Sequence, residues 1–223
     1  MDSHGSKRAT FETTDRTTVR RLPKRAAYDR QTVYSILDEA LICHVGFVVE
    51  GKPVVIPTIH ARLNDRLYVH GSEASRMLRT LREGVDVCVT VTLLDGLVIA
   101  RSAFHHSMNY RSVVVYGVAT EVSDRGEKLT ALETIVEHVV PGRSADARGP
   151  SEVELRGTIV LSLPLEEVSA KIRTGGPIDD DEDYALPIWA GEIPLNLTPG
   201  VPIGDSRLSP EVALPDYVAR YRR

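Results

Sequence analysis

The sequence predicts a mainly β fold with peripheral helices, closed or split as an antiparallel barrel. Short apolar runs bounded by turn residues recur through the middle of the chain, and helical spacing only punctuates them. Six or seven strands joined mostly by hairpins cannot form a parallel doubly wound sheet, whereas a barrel removes exposed edges at this length. The 223 residues are 42% hydrophobic and 26% charged, enough to bury a core without disulfide or metal staples.

Residues 1–27 carry seven Lys or Arg and no apolar periodicity, so a flexible basic N-terminal arm is expected there. Val33, Ile36, Leu37 and Ala40 repeat at helical spacing and predict a short amphipathic helix from Gln31. Leu41 to Val49 reads as a strand, Glu50-Gly51-Lys52 as a turn, and Pro53 to Arg62 as a second strand with proline where its missing N–H does least harm. Asn64-Asp65 turns the chain into a strand over Arg66 to His70. A helix from Glu73 to Glu83 buries Met77, Leu78 and Leu81 and stops at Gly84, which can take the left-handed turn. Val85 to Leu93 alternates apolar and polar, and Asp95-Gly96 predicts a hairpin returning over Leu97 to Phe104. Tyr110 to Val122 and Glu154 to Leu163 read as strands. Gly126 to Val139 reads as a helix with Leu129, Leu132, Ile135, Val136 and Val139 on one face, and Leu165 to Lys171 as a shorter helix. The barrel domain is thus expected over 28–174. Seven of the thirteen prolines lie beyond it, so 175–223 reads as a proline-rich strap that wraps over something.

A net charge of −4 advertises neither nucleic acid nor an anionic membrane as partner. Cys43 and Cys88 sit in apolar runs, as reduced thiols do. No apolar stretch approaches the ~20 residues that span a bilayer, and the start lacks the apolar centre of a secretion signal. A cytoplasmic location is expected.

Two stretches concentrate polar chemistry. In Tyr68-Val69-His70-Gly71-Ser72-Glu73-Ala74-Ser75-Arg76 a strand ends and a helix opens with hydroxyls at Ser72 and Ser75 and a guanidinium at Arg76, a corner suited to phosphate. The bland alternative is that Ser72 only caps the helix and Arg76 is surface. The second stretch runs from Arg101 to Ser112 and includes His105, His106, Tyr110 and Arg111, a polar density that suits a binding mouth. Adjacent histidines point opposite ways on an extended segment and lack partners at metal-ligand spacing, so no metal site is expected; a Gly-x-Ser-x-Gly elbow and the glycine-rich nucleotide fingerprints are absent too.

These stretches resemble the flavin-nucleotide-binding branch of the pyridoxamine 5′-phosphate oxidase-like family, whose fold is the FMN-binding split β-barrel. The resemblance also takes in Ile36-Leu37-Asp38, Cys43 to Phe47, Pro53 to Thr58, Asn109 to Gly117, Glu127-Lys128 and Pro187 to Pro194. It implies a homodimer with FMN between the barrels and the strap at that interface. Thr58 and His60 would lie beside the flavin ring, while His70, Ser72, Ser75 and Arg76 would form the phosphate corner. Tyr110, Arg111, Ser112 and Trp189 would approach from the partner subunit. His70, His105 and His106 would be the proton-donating catalytic candidates, for a small electron-accepting or amine substrate and with NAD(P)H as a possible electron donor. His44 reads as a core or interface histidine. Met77 follows Ser75-Arg76 where the true oxidases have lysine, and Tyr221-Arg222-Arg223 does not reproduce their C-terminal arginine segment, which argues against pyridoxamine phosphate oxidation. Competing expectations are a non-catalytic FMN carrier or sensor and a split barrel that binds heme or deazaflavin.

Overall fold

Strand neighbours are antiparallel throughout the computed structural model, which describes residues 9–222. The strands are β1 (Ala26–Ala27), β2 (Ile42–Val49), β3 (Lys52–Leu63), β4 (Arg66–Ser72), β5 (Asp86–Ile99), β6 (Ser107–Val118), β7 (Thr120–Glu121), β8 (Thr158–Pro164), β9 (Glu167–Arg173) and β10 (Gly191–Pro194). The helices are α1 (Arg30–Glu39), α2 (Arg76–Leu81), α3 (Arg125–Val139), α4 (Arg143–Asp146), α5 (Glu152–Arg156) and α6 (Asp216–Ala219). The sheet runs β1-β9-β6-β5-β2-β3-β4-β8-β7, and β10 also pairs with β5.

The sheet curls around an interior that includes Val45, Val69, Val89, Val113, Leu161 and Val168, and α1 and α2 contribute buried side chains to the same core. α1 starts where the Asp29 carboxylate accepts the Thr32 N–H at 2.8 Å, and it buries Val33, Ile36 and Leu37. A second apolar cluster lies under α3, where Ala131 and Ile135 meet Ala61, Tyr68 and Val160. The buried face of α3 is therefore centred on Ala131 and Ile135, while Val136 is exposed.

Several elements differ from the sequence expectation, each for a tertiary reason. Asp95-Gly96 does not reverse the chain. β5 runs through it as one 14-residue strand, with a register shift against β6 between Leu94 and Gly96, which makes it a β-bulge. One edge of β5 is shared by β2, opposite Cys88 to Thr90, and by the far later β10, opposite Gly96 to Ile99. A Cβ on Gly96 would meet the Ile193 carbonyl oxygen at 3.0 Å, so this glycine serves close strand approach. Leu165 to Lys171 is not helical. Val168 and Ala170 are buried in β9, between β6 and β1. The stretch from Glu154 divides into the end of α5, which is opened by a Ser151–Glu154 capping box, and β8. The strand expected over Tyr110 to Val122 is β6 and β7, interrupted at Ala119. α2 begins later than expected, because Ser75 is its cap.

The flexible arm expected over 1–27 is packed against the barrel from residue 9 onward; residues 1–8 lie outside the described residues. Phe11 is buried edge-on to Tyr34 and lies 4.3 Å beneath the Arg30 guanidinium. Arg16 pairs with Asp86 at 2.5 Å and with Glu167, and Ala26–Ala27 join the sheet. From residue 195 to 214 the tail has no helix or strand, and α6 is anchored where the Tyr221 hydroxyl donates to the Val139 carbonyl at 2.8 Å.

Both cysteines are free. Burial pushes the Cys43 thiol up to about 12, and also raises that of Cys88, which is only half-buried beside Tyr116. At pH 8 an ordinary thiol is about a quarter thiolate, whereas a group at pKa 12 is ionised about once in ten thousand. Alkylation with iodoacetamide at pH 8 followed by peptide mass spectrometry is expected to leave Cys43 unmodified in the folded protein, and both cysteines are expected to react in guanidinium.

Candidate functional site

β4 and α2 build a corner at one end of the sheet. Tyr68, His70 and Ser72 share one face of β4 by the period of two, and Tyr68 belongs to the cluster under α3. Gly71 lets α2 pack against the strand, since a Cβ there would meet Leu78 Cδ1 at 3.0 Å. The Ser75 hydroxyl accepts the Leu78 N–H and the Ser72 hydroxyl accepts the Ala74 N–H at 3.2 Å. Both therefore cap backbone, and each O–H proton stays available for a further acceptor. Arg76 is exposed and makes no ion pair or hydrogen bond among the described residues. His70 is half-buried, its Nδ1 is buried with no hydrogen-bond partner among the described residues, and burial lowers its pKa. The corner thus joins a neutral imidazole, two hydroxyls and an uncommitted guanidinium.

His60 does not lie where a flavin could touch it. It is fully buried, its Nε2 is 3.0 Å from the Leu37 carbonyl, and its ring is 5.1 Å from that of His138, whose Nε2 is 2.8 Å from the Ala40 carbonyl. The pair ties β3 and α3 to the end of α1. Thr58 is half-buried on β3 opposite Cys43. His44 is exposed, so the core reading fails for it; it stands on the outer sheet face between Pro57 and Thr90.

Arg111 is already committed within its own chain. Its guanidinium pairs with Glu39 at 2.8 Å and with Asp95 at 2.7 Å, and these hydrogen bonds raise its pKa. The approach to the flavin that the resemblance implies for Arg111 would therefore be made by a guanidinium that two carboxylates already hold. Asp95, at the bulge, and Glu39, at the end of α1, are partners that spacing does not reveal. These three residues line a cavity of about 370 Å³ with Thr92, Leu94 and the strap residue Leu197, in the gap that β2 and β10 leave along β5. Ser112 donates to the Lys171 carbonyl at 3.2 Å. Tyr110, opposite Leu94 on one side and Arg173 on the other, is half-buried.

The loop between β5 and β6 holds Phe104, 89% exposed, beside His105 and His106. His105 Nε2 is 3.3 Å from Asp180, and His106 Nδ1 is 3.0 Å from the Ser102 carbonyl. Trp189, exposed, lies over Gly191, where a Cβ would meet its ring at 3.0 Å. β10 is held by a chain in which the buried Arg173 donates to the buried Asn109, and Asn109 donates to the exposed Glu192 at 2.5 Å. Burial, then Arg25, lowers the Arg173 pKa.

The histidines do not converge within one protomer. Continuing the β3–β4, β2–β3 and β2–β5 ladders places Thr92 level with His70, while the loop with His105 and His106 begins after Ile99, about 23 Å further along β5 at 3.3 Å per residue.

The chain matches the pyridoxamine 5′-phosphate oxidase family over residues 29–172. Among solved structures it is similar to the flavocytochrome Anf3 from Azotobacter vinelandii, with a TM-score of 0.88 and 44% identity over 94% of this chain and 97% of that one. It is also similar to the FAD- and heme-binding protein from Mycobacterium smegmatis, with a TM-score of 0.84 and 35% identity over 87% of this chain and 95% of that one. A proposed 5-nitroimidazole antibiotic resistance protein from Bacteroides thetaiotaomicron aligns with a TM-score of 0.56 and 28% identity over 66% of this chain and 86% of that one. No curated protein matches in sequence. The split-barrel topology, the β4–α2 corner and these alignments together show that the chain belongs to the pyridoxamine 5′-phosphate oxidase-like family of flavin-binding split barrels.

Proposed function

We propose that the protein is a homodimeric redox protein that binds a flavin and a heme and takes electrons from a reduced nicotinamide to a small electron-accepting substrate. The observation that carries this reading is the 44% identity, along nearly the whole chain, to a protein named as a flavocytochrome. FAD is the flavin proposed, because the 35% identical relative is named for FAD and heme; FMN, the form implied by the sequence resemblance, is the alternative.

The residues present fit both groups. His70 offers a half-buried neutral imidazole with an unpartnered nitrogen, the state in which histidine ligates iron. Arg76 offers an unpaired fork for phosphate oxygens, and the Ser72 and Ser75 hydroxyls retain a proton to donate. The bound groups would supply hydride acceptance at the flavin ring and one-electron transfer at the iron. Arg76 and the two serines would hold and orient the flavin's phosphate. His106, exposed on its loop, would deliver a proton from solvent, and Trp189 would cover the flavin ring and exclude water.

The purified protein is expected to show flavin bands together with a Soret band, and flavin released by heat is expected to co-elute with FAD. Flavin bands without a Soret band would leave the FMN enzyme or carrier reading; the absence of either chromophore after adding both would sink the proposal. His70→Ala is expected to lose the Soret band while keeping its thermal midpoint within a few degrees. Arg76→Ala is expected to weaken flavin binding by about 1.5–3 kcal/mol, on the order of ten- to a hundredfold, in a fluorescence-quenching titration.

A further inference from the structure

The β5–β6 loop and the start of the strap are distant in sequence, yet they are clamped together. The Asp179 side chain is fully buried and accepts the Arg101 N–H at 3.0 Å, the Ser102 N–H at 3.3 Å and the Arg101 guanidinium at 3.2 Å. The same guanidinium lies 4.9 Å from the centre of the Tyr184 ring. Beside this clamp, His105 Nε2 is 3.3 Å from Asp180 Oδ2. Asp180 caps a 3₁₀ turn over Asp181–Ala185, and the Asp183 N–H donates to the Asp180 carbonyl at 2.9 Å. The turn brings the Asp183 side chain back beside those of Asp180 and His105. One donor atom from each of His105, Asp180 and Asp183 lies within 4.8 Å of the other two.

We propose that His105, Asp180 and Asp183 bind a divalent first-row transition cation, zinc being the fitting example, that fastens the strap to the β5–β6 loop. Ligands of a tetrahedral zinc at about 2.0–2.2 Å stand about 3.4 Å apart, close to the His105–Asp180 separation of 3.3 Å, and the Asp183 carboxylate, within 4.8 Å of both, supplies the third donor as the cluster contracts on the ion. Two carboxylates neutralise the cation, and the imidazole selects against calcium and magnesium, which take oxygen donors. Three protein donors leave the fourth position to water. The neighbouring cation, Arg101, is engaged by Asp179 and does not compete. The ligands lie 75 residues apart between His105 and Asp180, which is why no metal-ligand spacing is visible in the sequence.

The test is calorimetric titration of the chelator-treated full-length protein with zinc chloride, and separately with calcium chloride, for the wild type, His105→Ala, Asp183→Asn and, as control, Glu182→Gln. One zinc per chain is expected, at least tenfold weakened by His105→Ala and by Asp183→Asn and unchanged by Glu182→Gln, with calcium at least tenfold weaker than zinc. Zinc is also expected to slow proteolysis within 176–190 in the wild type and not in His105→Ala. Equal zinc affinity in the wild type and His105→Ala, or calcium binding as tightly as zinc, would overturn the assignment.

Discussion

Inside the barrel every strand finds a partner face, but the outer face of β3, β2, β5 and β6 does not. The registers place Ile42 beside Ile59, Gly46 beside Val55 and Cys88, and Leu94 beside Tyr110 on that outer surface. Val55 is 64% exposed and Ile42 and Val48 are each more than half exposed. Apolar surface in water costs roughly 25 cal/mol per Å², and a patch that spans several strands marks an interaction site. In the proposed homodimer a second copy of the chain would cover this face about a two-fold axis, because an isologous contact buries the same patch on both subunits. The proposed function depends on that constraint, because His70 on β4 and the histidines after β5 are brought to a common site only if another protomer places its loop or strap against the corner.

The strap follows the same logic. β10 takes the stretch of the β5 edge that β2 leaves free, the bulge at Asp95 and the bare backbone of Gly96 admit it, and the chain from the buried Arg173 through Asn109 to Glu192 holds it in register. A buried guanidinium that reaches its carboxylate only through an amide is costly unless its hydrogen bonds are met; here the Gly175 and Gly176 carbonyls, at 2.8 Å and 3.0 Å, help to meet them. Trp189 is thereby carried on a fixed segment, with its ring exposed over Gly191.

Local patterns made much of this legible in the sequence. The turns at Gly51 and Asn64, both at positive φ, separate β2, β3 and β4, and Gly84, also at positive φ, lies just past the end of α2, whereas the Ser75 cap stands three residues beyond the Ser72 that the sequence suggests. The β4–α2 corner was readable for the same reason, since its residues from His70 to Arg76 are neighbours in sequence. What was hidden depends on distant segments. Asp95-Gly96 carries a strong hairpin signal that β10 overrides; Leu165 to Lys171 is too short for periodicity to separate helix from strand, and burial between β6 and β1 decides it. The engagement of Arg111 by Glu39 and Asp95, the interior position of His60 and the Asp179 clamp are likewise long-range facts.

Sedimentation equilibrium of the protein, compared with Val55→Glu on the outer sheet face, tests the central claim most directly. The account predicts a wild type at twice the chain mass, and a Val55→Glu variant that sediments as a folded monomer and loses flavin. A wild type that sediments as a monomer while binding flavin stoichiometrically would contradict it.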